Sequence, residues 1–465
     1  MSRSPPERRV DSNEGQEAAA SGGRNVGRRW RRGGDSSSSR PRSAEAVWPE
    51  HFVEAVAAQV AVDAARDGGR LAAAPAVVAV FQVCSTWRAI SQSELLWQDL
   101  VGRIWNRRLP SFPSWRDDFI HLHRTAANFR SRRSTHSRLL APSAAVHSCR
   151  RMTISEHHLA AGFLDGSVRL FDLPGGRPLA TFHVDPHRDR LGPFSHAVAG
   201  IVLEEAGRRL AFASQDGDVH VATLGGNSGS VRRAHIGSLM EFGILVDFAG
   251  DDRRWVGLFA GPPGWSWHVW DASTEEVLYR GGTLTDPDGV AAWHMLTDAS
   301  VPAVGRVRMA APGVAVGCTV SSMEVMDVDG ITGRRLNRVD LRHGAVVGSV
   351  DAGEGRAVVV DSRGLAKVLH VPALHEICCF STVRTGEQLQ QRPPRQQGEM
   401  EGCMNWGYVV VCAAGGVRVW DARTGEYLYS FRERVGEVSA VAAGDRYVGA
   451  WANDTGLHVW DYGAL

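Results

Sequence analysis

Histidine and cysteine are the residue types that could ligate a metal or attack a substrate, and their spacing in this chain supports neither role. His121 and His123 form one close pair and His157 and His158 another, but no cysteine or carboxylate constellation completes a ligand set beside them. The seven cysteines are odd in number and contain no C-x-x-C motif. We therefore expect reduced thiols in an intracellular protein, with no metal site and no cofactor.

Motifs that carry catalysis are also missing. The chain has no H-E-x-x-H, no G-x-S-x-G, no Walker-type G-x-x-x-x-G-K and no G-x-G-x-x-G after a strand. The carboxylates are scattered among turns rather than paired. The sequence therefore predicts a chain that has no catalytic residues and works by binding.

Arginines between the predicted strands offer one kind of binding chemistry. A guanidinium makes paired, charge-assisted hydrogen bonds to carboxylate and phosphate groups, so converging arginines could hold an acidic or phosphorylated segment. The candidate substrate-binding residues are Arg188, Arg190, Trp265, Arg342, Arg384, Arg432 and Arg434. Two alternatives to this binding site stay open. The arginines could be ordinary exposed cations, because Lys367 is the only lysine in the chain. Trp265 and Trp267, which could form an exposed binding surface, would suit a buried core equally well.

A repeated pattern of strands must position these residues. From residue 135 to 465, an apolar strand, a Gly/Asp turn and a strand ending in aromatic-Asp, or a relic of it, recur seven times. The landmarks lie 40 to 56 residues apart, a spacing typical of WD-repeat β-propellers. They are Phe171, Ala222, Trp270, Met326, His370, Trp420 and Trp460. The sequence thus predicts an all-β, seven-bladed WD-type propeller over residues 135–465.

The turns and the chain end refine this prediction. Asp165-Gly166, Asp216-Gly217 and Gly415-Gly416 occupy tight turns that accept positive φ. The pattern Asp421-x-x-Thr424-Gly425 predicts a turn in which the Asp421 side chain caps backbone amides. The sequence stops four residues after Trp460-Asp461, before an outer strand for the last blade. We expect Thr135–Leu140 to supply that strand, because ring closure removes an exposed sheet edge.

Helical spacing precedes the repeats. Residues 47–105 predict a small all-α module of three helices. The first begins at Trp48-Pro49-Glu50 and carries Phe52, Val53, Val56 and Val60 on one face, and the second starts near Leu71 and carries Val77, Val80, Phe81, Cys84 and Trp87 on one stripe. The third follows the capping-box pattern Ser91-Gln92-Ser93-Glu94. A linker helix is predicted within 112–133, with Ser114 as its cap. About sixty residues make too small a core for every large side chain, so some should face a partner or the downstream domain.

The first 44 residues have a different composition. They hold ten arginines and five acidic residues, with almost no apolar content, whereas the remainder has 42 basic and 46 acidic residues. We predict a disordered Ser/Gly/Arg tail at 1–44. Its cluster Arg28, Arg29, Arg31 and Arg32 suggests nuclear import, although a solvated charged tail would look the same. No signal peptide or membrane span is expected.

The helical module resembles an F-box. The resemblance rests on Trp48-Pro49-Glu50, on Phe81-Gln82-Val83-Cys84-Ser85-Thr86-Trp87 and on Leu95-Leu96-Trp97. The chain departs from the usual motif in two places: Trp48 replaces the leading leucine, and the Ala-rich stretch between the first two helices is longer. The resemblance implies binding to a Skp-type adaptor through Trp48, Pro49, Phe52, Val56, Phe81, Val83, Cys84, Trp87, Leu96 and Trp97.

The order of F-box, linker helix and propeller resembles the F-box/WD-repeat substrate receptors of SCF ubiquitin ligases. Further segments resemble a plant branch of these proteins: Val47–Glu50, 115–120, 160–163, 281–287 and 432–438. That resemblance implies a nuclear regulator of transcription in floral identity and organ growth. It also implies a Skp-type adaptor and a cullin scaffold as partners, and PEAPOD/KIX-type transcriptional repressors as substrates. A nuclear WD-repeat scaffold or co-regulator without ligase activity stays open, and no sequence-specific DNA-binding motif is visible.

Overall fold

The computed structural model describes residues 48–139, 148–184, 193–204, 208–225, 231–260, 264, 266–284, 305–319, 322–341, 347–382, 400–413 and 415–463. The chain divides at Glu50, and residues 50–465 form its second unit, which is compact. The predicted tail 1–44 lies outside the described residues, and everything below, except Trp48 and Pro49, belongs to the second unit. Within the described part, no helix is long and apolar enough to cross a membrane.

Five helices open the second unit and a short one lies among the strands. They are α1 (Glu50–Gly68), α2 (Ala73–Phe81), α3 (Ser85–Ala89), α4 (Glu94–Trp105), α5 (Trp115–Arg130) and α6 (Leu239–Phe242). The cap predicted at Ser114 is confirmed, because its hydroxyl accepts from the Asp117 amide at 3.0 Å. The capping box predicted from Ser91 to Glu94 is wrong: Ser93 caps α4, and its hydroxyl accepts from the Leu96 amide.

The second predicted helix is shorter in the structure than the stripe from Val77 to Trp87 predicts. It ends at Phe81, and Cys84 has extended backbone (φ −161°, ψ 175°) before α3 begins. Cys84 and Trp87 therefore do not share a stripe with Val77. A straight helix would carry Trp87 about 15 Å beyond Val77, past the end of so small a core. The break lets Trp87 turn back and pack against the core of the module.

Strands β1 to β28 follow, and they form six sheets in the described residues. The strands up to the middle of the chain are β1 (Thr135–Leu139), β2 (Cys149–Ile154), β3 (His158–Phe163), β4 (Val168–Asp172), β5 (Arg177–Phe182), β6 (Val198–Glu204), β7 (Arg209–Ser214), β8 (Val219–Thr223), β9 (Val231–His235), β10 (Ile244–Gly250), β11 (Arg254–Ala260), β12 (Trp267–Asp271) and β13 (Val277–Gly281).

The remaining strands are β14 (Arg306–Ala311), β15 (Val314–Cys318), β16 (Ser322–Asp327), β17 (Arg334–Asp340), β18 (Val347–Gly353), β19 (Arg356–Asp361), β20 (Leu365–His370), β21 (His375–Ser381), β22 (Glu401–Met404), β23 (Tyr408–Ala413), β24 (Gly416–Asp421), β25 (Tyr427–Ser430), β26 (Val438–Ala443), β27 (Tyr447–Ala452) and β28 (Gly456–Asp461). The repeat pattern located these strands well: the predicted landmarks Phe171, Trp270 and Trp460 lie in β4, β12 and β28.

Five of the sheets have four strands and one has eight. In the eight-stranded sheet, two antiparallel four-strand runs, β6–β9 and β10–β13, join through one parallel pairing, Phe248 with Gly200. A side chain at Gly200 would collide with the Phe248 carbonyl, so glycine permits this close approach. The innermost strands β2, β6, β10, β14, β18, β22 and β26 contact one another in this order, and β26 contacts β2. The predicted propeller class is confirmed by this closed ring.

The predicted closing strand is also confirmed. β1 pairs antiparallel with β28 from Thr135 opposite Asp461 to Leu139 opposite Leu457, which gives the sheet order β1-β28-β27-β26. The N-terminal strand and the three C-terminal strands therefore share one sheet. The first and the last strand of the propeller thus close the ring through hydrogen bonds, and β28 has a neighbour on both sides instead of an open edge.

A buried ionic network ties the inner strands together. The Asp247 carboxylate on β10 accepts from Arg151 Nε on β2 at 2.9 Å and from Arg308 Nη1 on β14 at 2.7 Å. Arg308 also lies 3.3 Å from the Asp351 carboxylate on β18, which accepts from the Met404 amide on β22 at 2.9 Å. Burial alone would raise the pKa of Asp247, but Arg308 and Arg151 outweigh it and hold the pKa below its usual range.

Candidate functional site

Helix α1 presents apolar side chains to solvent as well as to the core. Phe52 and Val60 are 43% and 40% exposed, and Val56 between them is half-buried. The buried face consists of Val53 with Ala57, Ala58 and Ala61. The predicted single face of Phe52, Val53, Val56 and Val60 is thus wrong, because alanines supply most of the core contact and the larger side chains follow a different stripe.

The ten predicted adaptor-binding residues divide by exposure. Trp48, Pro49, Phe52, Val83 and Cys84 are exposed, and Val56 and Trp87 are half-buried. Phe81, Leu96 and Trp97 lie in the module core, where the Phe81 and Trp97 rings are 5.9 Å apart. Val83 in the α2–α3 turn and Leu95 at the start of α4 are 62% and 71% exposed. The module therefore keeps a substantial apolar surface in solvent, as its small core predicted.

Helix α5 belongs to two cores at once. Phe119 and Leu122 pack in the core of the helical module, whereas Phe129 packs in the propeller, where its ring stacks on Tyr408 at 4.6 Å and on Tyr462 at 4.3 Å. The Tyr429 hydroxyl donates to the Phe129 carbonyl at 2.6 Å, which occupies one of the free carbonyls at the helix end. The predicted linker helix therefore joins the module to the propeller by packing into both cores.

Polar contacts reinforce this joint. The buried Arg70 lies 3.3 Å from the Asp445 carboxylate and 4.4 Å from the centre of the Trp406 ring. Arg107 pairs with Glu156, and Arg423 donates to the Asp67 carbonyl. Sequence reasoning missed these residues, because the partners are far apart in the chain and nothing local distinguishes them from other surface charges.

Phe129→Ala tests the joint. We expect a loss of about 3–5 kcal/mol in the free energy of unfolding, because a buried aromatic side chain and two ring contacts are removed. Chemical denaturation and limited proteolysis between the module and propeller would measure it. The matched control is Phe112→Ala, whose side chain is 38% exposed and should cost less than about 1 kcal/mol. Equal losses in both variants would contradict the joint.

Few of the predicted substrate-binding residues can be placed. Arg432 and Arg434 are exposed in the turn between β25 and β26, on either side of Glu433, whose carboxylate accepts from Trp460 Nε1 at 3.1 Å. Arg188, Arg190, Trp265, Arg342 and Arg384 lie outside the described residues, as do the import candidates Arg28, Arg29, Arg31 and Arg32. Trp267 is fully buried, so the interpretation of this residue as part of an exposed binding surface is wrong.

The described residues hold no group of three or more His, Cys, Asp or Glu side chains able to bind a metal. The buried thiols are also poorly suited to chemistry, because desolvation raises the pKa of Cys149 and of Cys318 to about 12. His268 is buried against Phe259, and burial lowers its pKa to about 3, so it is neutral at physiological pH.

Comparison with known proteins gives one close relative. The transcriptional regulator STERILE APETALA of Arabidopsis thaliana is 45% identical over 439 residues, which cover 92% of this chain and 95% of that protein. Among solved structures, the WD40 β-propeller domain of Doa1 aligns with a TM-score of 0.49 and 12% identity, over 70% of this chain and 97% of that one. No family model matches the sequence.

Proposed function

Because this chain belongs to the family of the plant transcriptional regulator STERILE APETALA, we propose that it is a nuclear regulator of transcription that acts as the substrate-recognition subunit of an SCF-type ubiquitin ligase. The observation that carries the proposal is the helical module: it keeps apolar side chains in solvent and is fixed to the propeller through Phe129. A solvent-exposed apolar surface on a small rigid module is typical of a protein-binding site.

The mechanism that follows is proximity. The module binds the Skp-type adaptor and, through it, the cullin scaffold, while the propeller holds a protein substrate such as a PEAPOD/KIX-type repressor complex. Joining both sites on one rigid body raises the effective concentration of substrate lysines at the ubiquitin-charged enzyme. The receptor then needs no catalytic group of its own, and control of floral identity and organ growth would follow from removal of the repressors.

We further propose that the propeller has seven blades. The eight-stranded sheet counts as two blades, because its halves β6–β9 and β10–β13 are each complete antiparallel runs and share only the pairing of Phe248 with Gly200. The seven inner strands that contact one another in a closed circuit support this count.

Val83→Asp tests the adaptor surface. We expect at least a hundredfold loss in affinity for a purified Skp-type adaptor, because a carboxylate would be buried without a partner in the interface. Folding should not change, since Val83 is 62% exposed in a turn. The readouts are adaptor co-purification, titration of binding and thermal unfolding of each variant.

The matched control is Ile331→Asp, which alters an equally apolar, 77% exposed side chain in the turn between β16 and β17. It should bind the adaptor as the wild type does. Wild-type-like binding by Val83→Asp would contradict the F-box assignment at this turn. A wild-type chain that binds no adaptor would instead favour the second candidate, a nuclear scaffold or co-regulator without ligase activity. That candidate is also compatible with kinship to a transcriptional regulator.

A further inference from the structure

A cavity of about 400 Å³ lies in the seam between the helical module and the propeller. Its walls come from the C-terminal parts of α1, α4 and α5, from the β18–β19 turn, and from the turns at Trp406–Tyr408 and Asp421–Arg423. The volume falls within the range of small-molecule sites, which are mostly a few hundred to about 1,000 Å³. None of the functions discussed above uses this cavity.

The cavity wall is strongly basic. Six arginines line it and only two carboxylates do, which gives a lining charge of +4. They are Arg66, Arg70, Arg103, Arg130, Arg356 and Arg423, with Glu354 and Asp421. The general preference of this chain for arginine does not explain the excess, because residues 45–465 as a whole carry 42 basic against 46 acidic residues.

Four of the six arginines are paired with carboxylates of the protein itself. Arg66, Arg103 and Arg130 each lie in the last turn of a helix, where a cation offsets the helix dipole, and each lies within 3.6 Å of an aspartate carboxylate. Arg70 is held by Asp445 and by the Trp406 ring. These contacts explain why the residues are present without any ligand.

The charges of Arg356 and Arg423 are not balanced in this way. Both side chains are half-buried, and among the described residues neither has a carboxylate within 4.0 Å. The Arg423 guanidinium donates to the Asp67 carbonyl, which is a neutral acceptor. Two partly desolvated guanidinium groups thus face one cavity from neighbouring sheets. Such groups repel each other unless an anion binds between them.

We propose that this seam cavity binds a small, multiply phosphorylated molecule, with Arg356 and Arg423 as its principal contacts. The planar donor fork of a guanidinium binds phosphate oxygens through two parallel hydrogen bonds, and the several negative charges of a polyphosphorylated ligand match a lining charge of +4. A recessed cavity of this size suits a small molecule rather than an extended phosphopeptide. The inference is independent of the ligase assignment.

Ligand binding would also strengthen the joint. Helix residues form one wall and propeller residues the other, so a ligand contacts both and binds only when they are docked. Binding to the folded state alone raises the free energy of unfolding by mass action. The proposed anion is therefore expected to stabilise the orientation of the module on the propeller.

The test uses the full chain and tripolyphosphate as the probe, followed by calorimetric titration and thermal unfolding. We expect saturable one-to-one binding with a rise in Tm, at least a tenfold loss of affinity in Arg356→Gln and in Arg423→Gln, and a larger loss in the double variant. The matched control is Arg253→Gln, which removes an exposed arginine paired with Asp329 at 3.1 Å and should bind as the wild type does.

Three results would overturn the proposal. They are no saturable binding by the wild type, an equal loss of affinity in the Arg253→Gln control, and tighter binding of a phosphoserine peptide than of tripolyphosphate. Should a glutamine variant fail to fold, Arg356→Lys keeps the charge and loses the planar donor pattern, so weakened binding by this folded variant supports the proposal and unchanged binding contradicts it.

Discussion

Replacement of Asp247 by alanine will cost the protein about 3–5 kcal/mol of its free energy of unfolding, which is enough to unfold many domains at physiological temperature. Asp247 is fully buried and its two carboxylate oxygens serve three donors: Arg151 Nε at 2.9 Å, Arg308 Nη1 at 2.7 Å and the Val307 amide at 2.9 Å. Loss of the carboxylate leaves the buried Arg151 guanidinium without its anion, and the half-buried Arg308 keeps Asp351.

The loss should spread through the propeller rather than stay local. Asp247 connects β2 with β14, and Arg308 continues the network to Asp351 on β18. Because these are inner strands of different sheets, their separation opens the centre of the ring. We therefore expect reduced cooperativity of unfolding as well as a lower midpoint in chemical denaturation.

Asp340→Ala provides the matched control. Its carboxylate is 83% exposed and lies 3.6 Å from Arg338, so its removal should change the free energy of unfolding by less than about 1 kcal/mol. A loss in Asp247→Ala no larger than in Asp340→Ala would show that the buried network does not stabilise the propeller.

The same network predicts an acid dependence. The pKa of Asp247 is lower in the folded protein than in the unfolded chain, where an aspartate titrates at about 3.9. The carboxylate therefore stabilises the fold fully above that pH, and the stabilisation declines as the pH falls toward the lower folded-state pKa. Wild type and Asp247→Asn should converge in stability as the pH is lowered through this range.

Truncation after Thr455 is expected to abolish cooperative folding of the propeller. It removes β28, which lies between β1 and β27, and with it Trp460, whose ring stacks on Phe431 at 4.3 Å, and Tyr462, which stacks on Phe129. β1 then has no partner, β27 becomes an open edge, and Phe129 loses one of its two ring contacts. Exposed apolar edges of this kind lead to aggregation.

Size-exclusion chromatography and calorimetry of the truncated chain would measure this effect. The control is truncation after Gly463, which retains all of β28 and should fold like the full chain. Trp460→Ala keeps the backbone pairing and should lose about 3–5 kcal/mol, so the side-chain contribution can be separated from that of the strand. A chain truncated after Thr455 that still unfolds cooperatively near the wild-type midpoint would contradict closure through β1.

Local patterns in the sequence were sufficient for the strands and their turns. Glycines at 166, 217 and 415 all have positive φ in the turns where Asp-Gly and Gly-Gly were found. The Asp421 carboxylate accepts from the amides of Arg423 and Thr424, as the Asp-x-x-Thr-Gly pattern predicted. These features depend on residues a few positions apart, and their periodicity and turn chemistry remain visible in one dimension.

The closing strand was also predictable, for a topological reason. A last blade that lacks an outer strand leaves an unpaired edge, and Thr135–Leu140 was the segment available to cover it. The structure pairs this segment with β28 over five residues. The number of strands and the energetic cost of an open sheet edge were therefore enough to predict the pairing of β1 with β28, although the two strands lie more than 300 positions apart in the chain.

Other long-range contacts were decided only by the tertiary structure. Arg151 and Asp247 are separated by 96 residues, and Arg70 and Asp445 by 375. The sequence also placed Phe52 and Val53 on one face of α1, although only Val53 is buried. An arginine or an aspartate has the same local signature whether it is solvated or buried in a pair, and which apolar stripe is covered depends on what packs against it. The residue types and the repeat therefore determined the propeller, while the ionic centre, the joint at Phe129 and the basic cavity exist only because folding brings distant residues together.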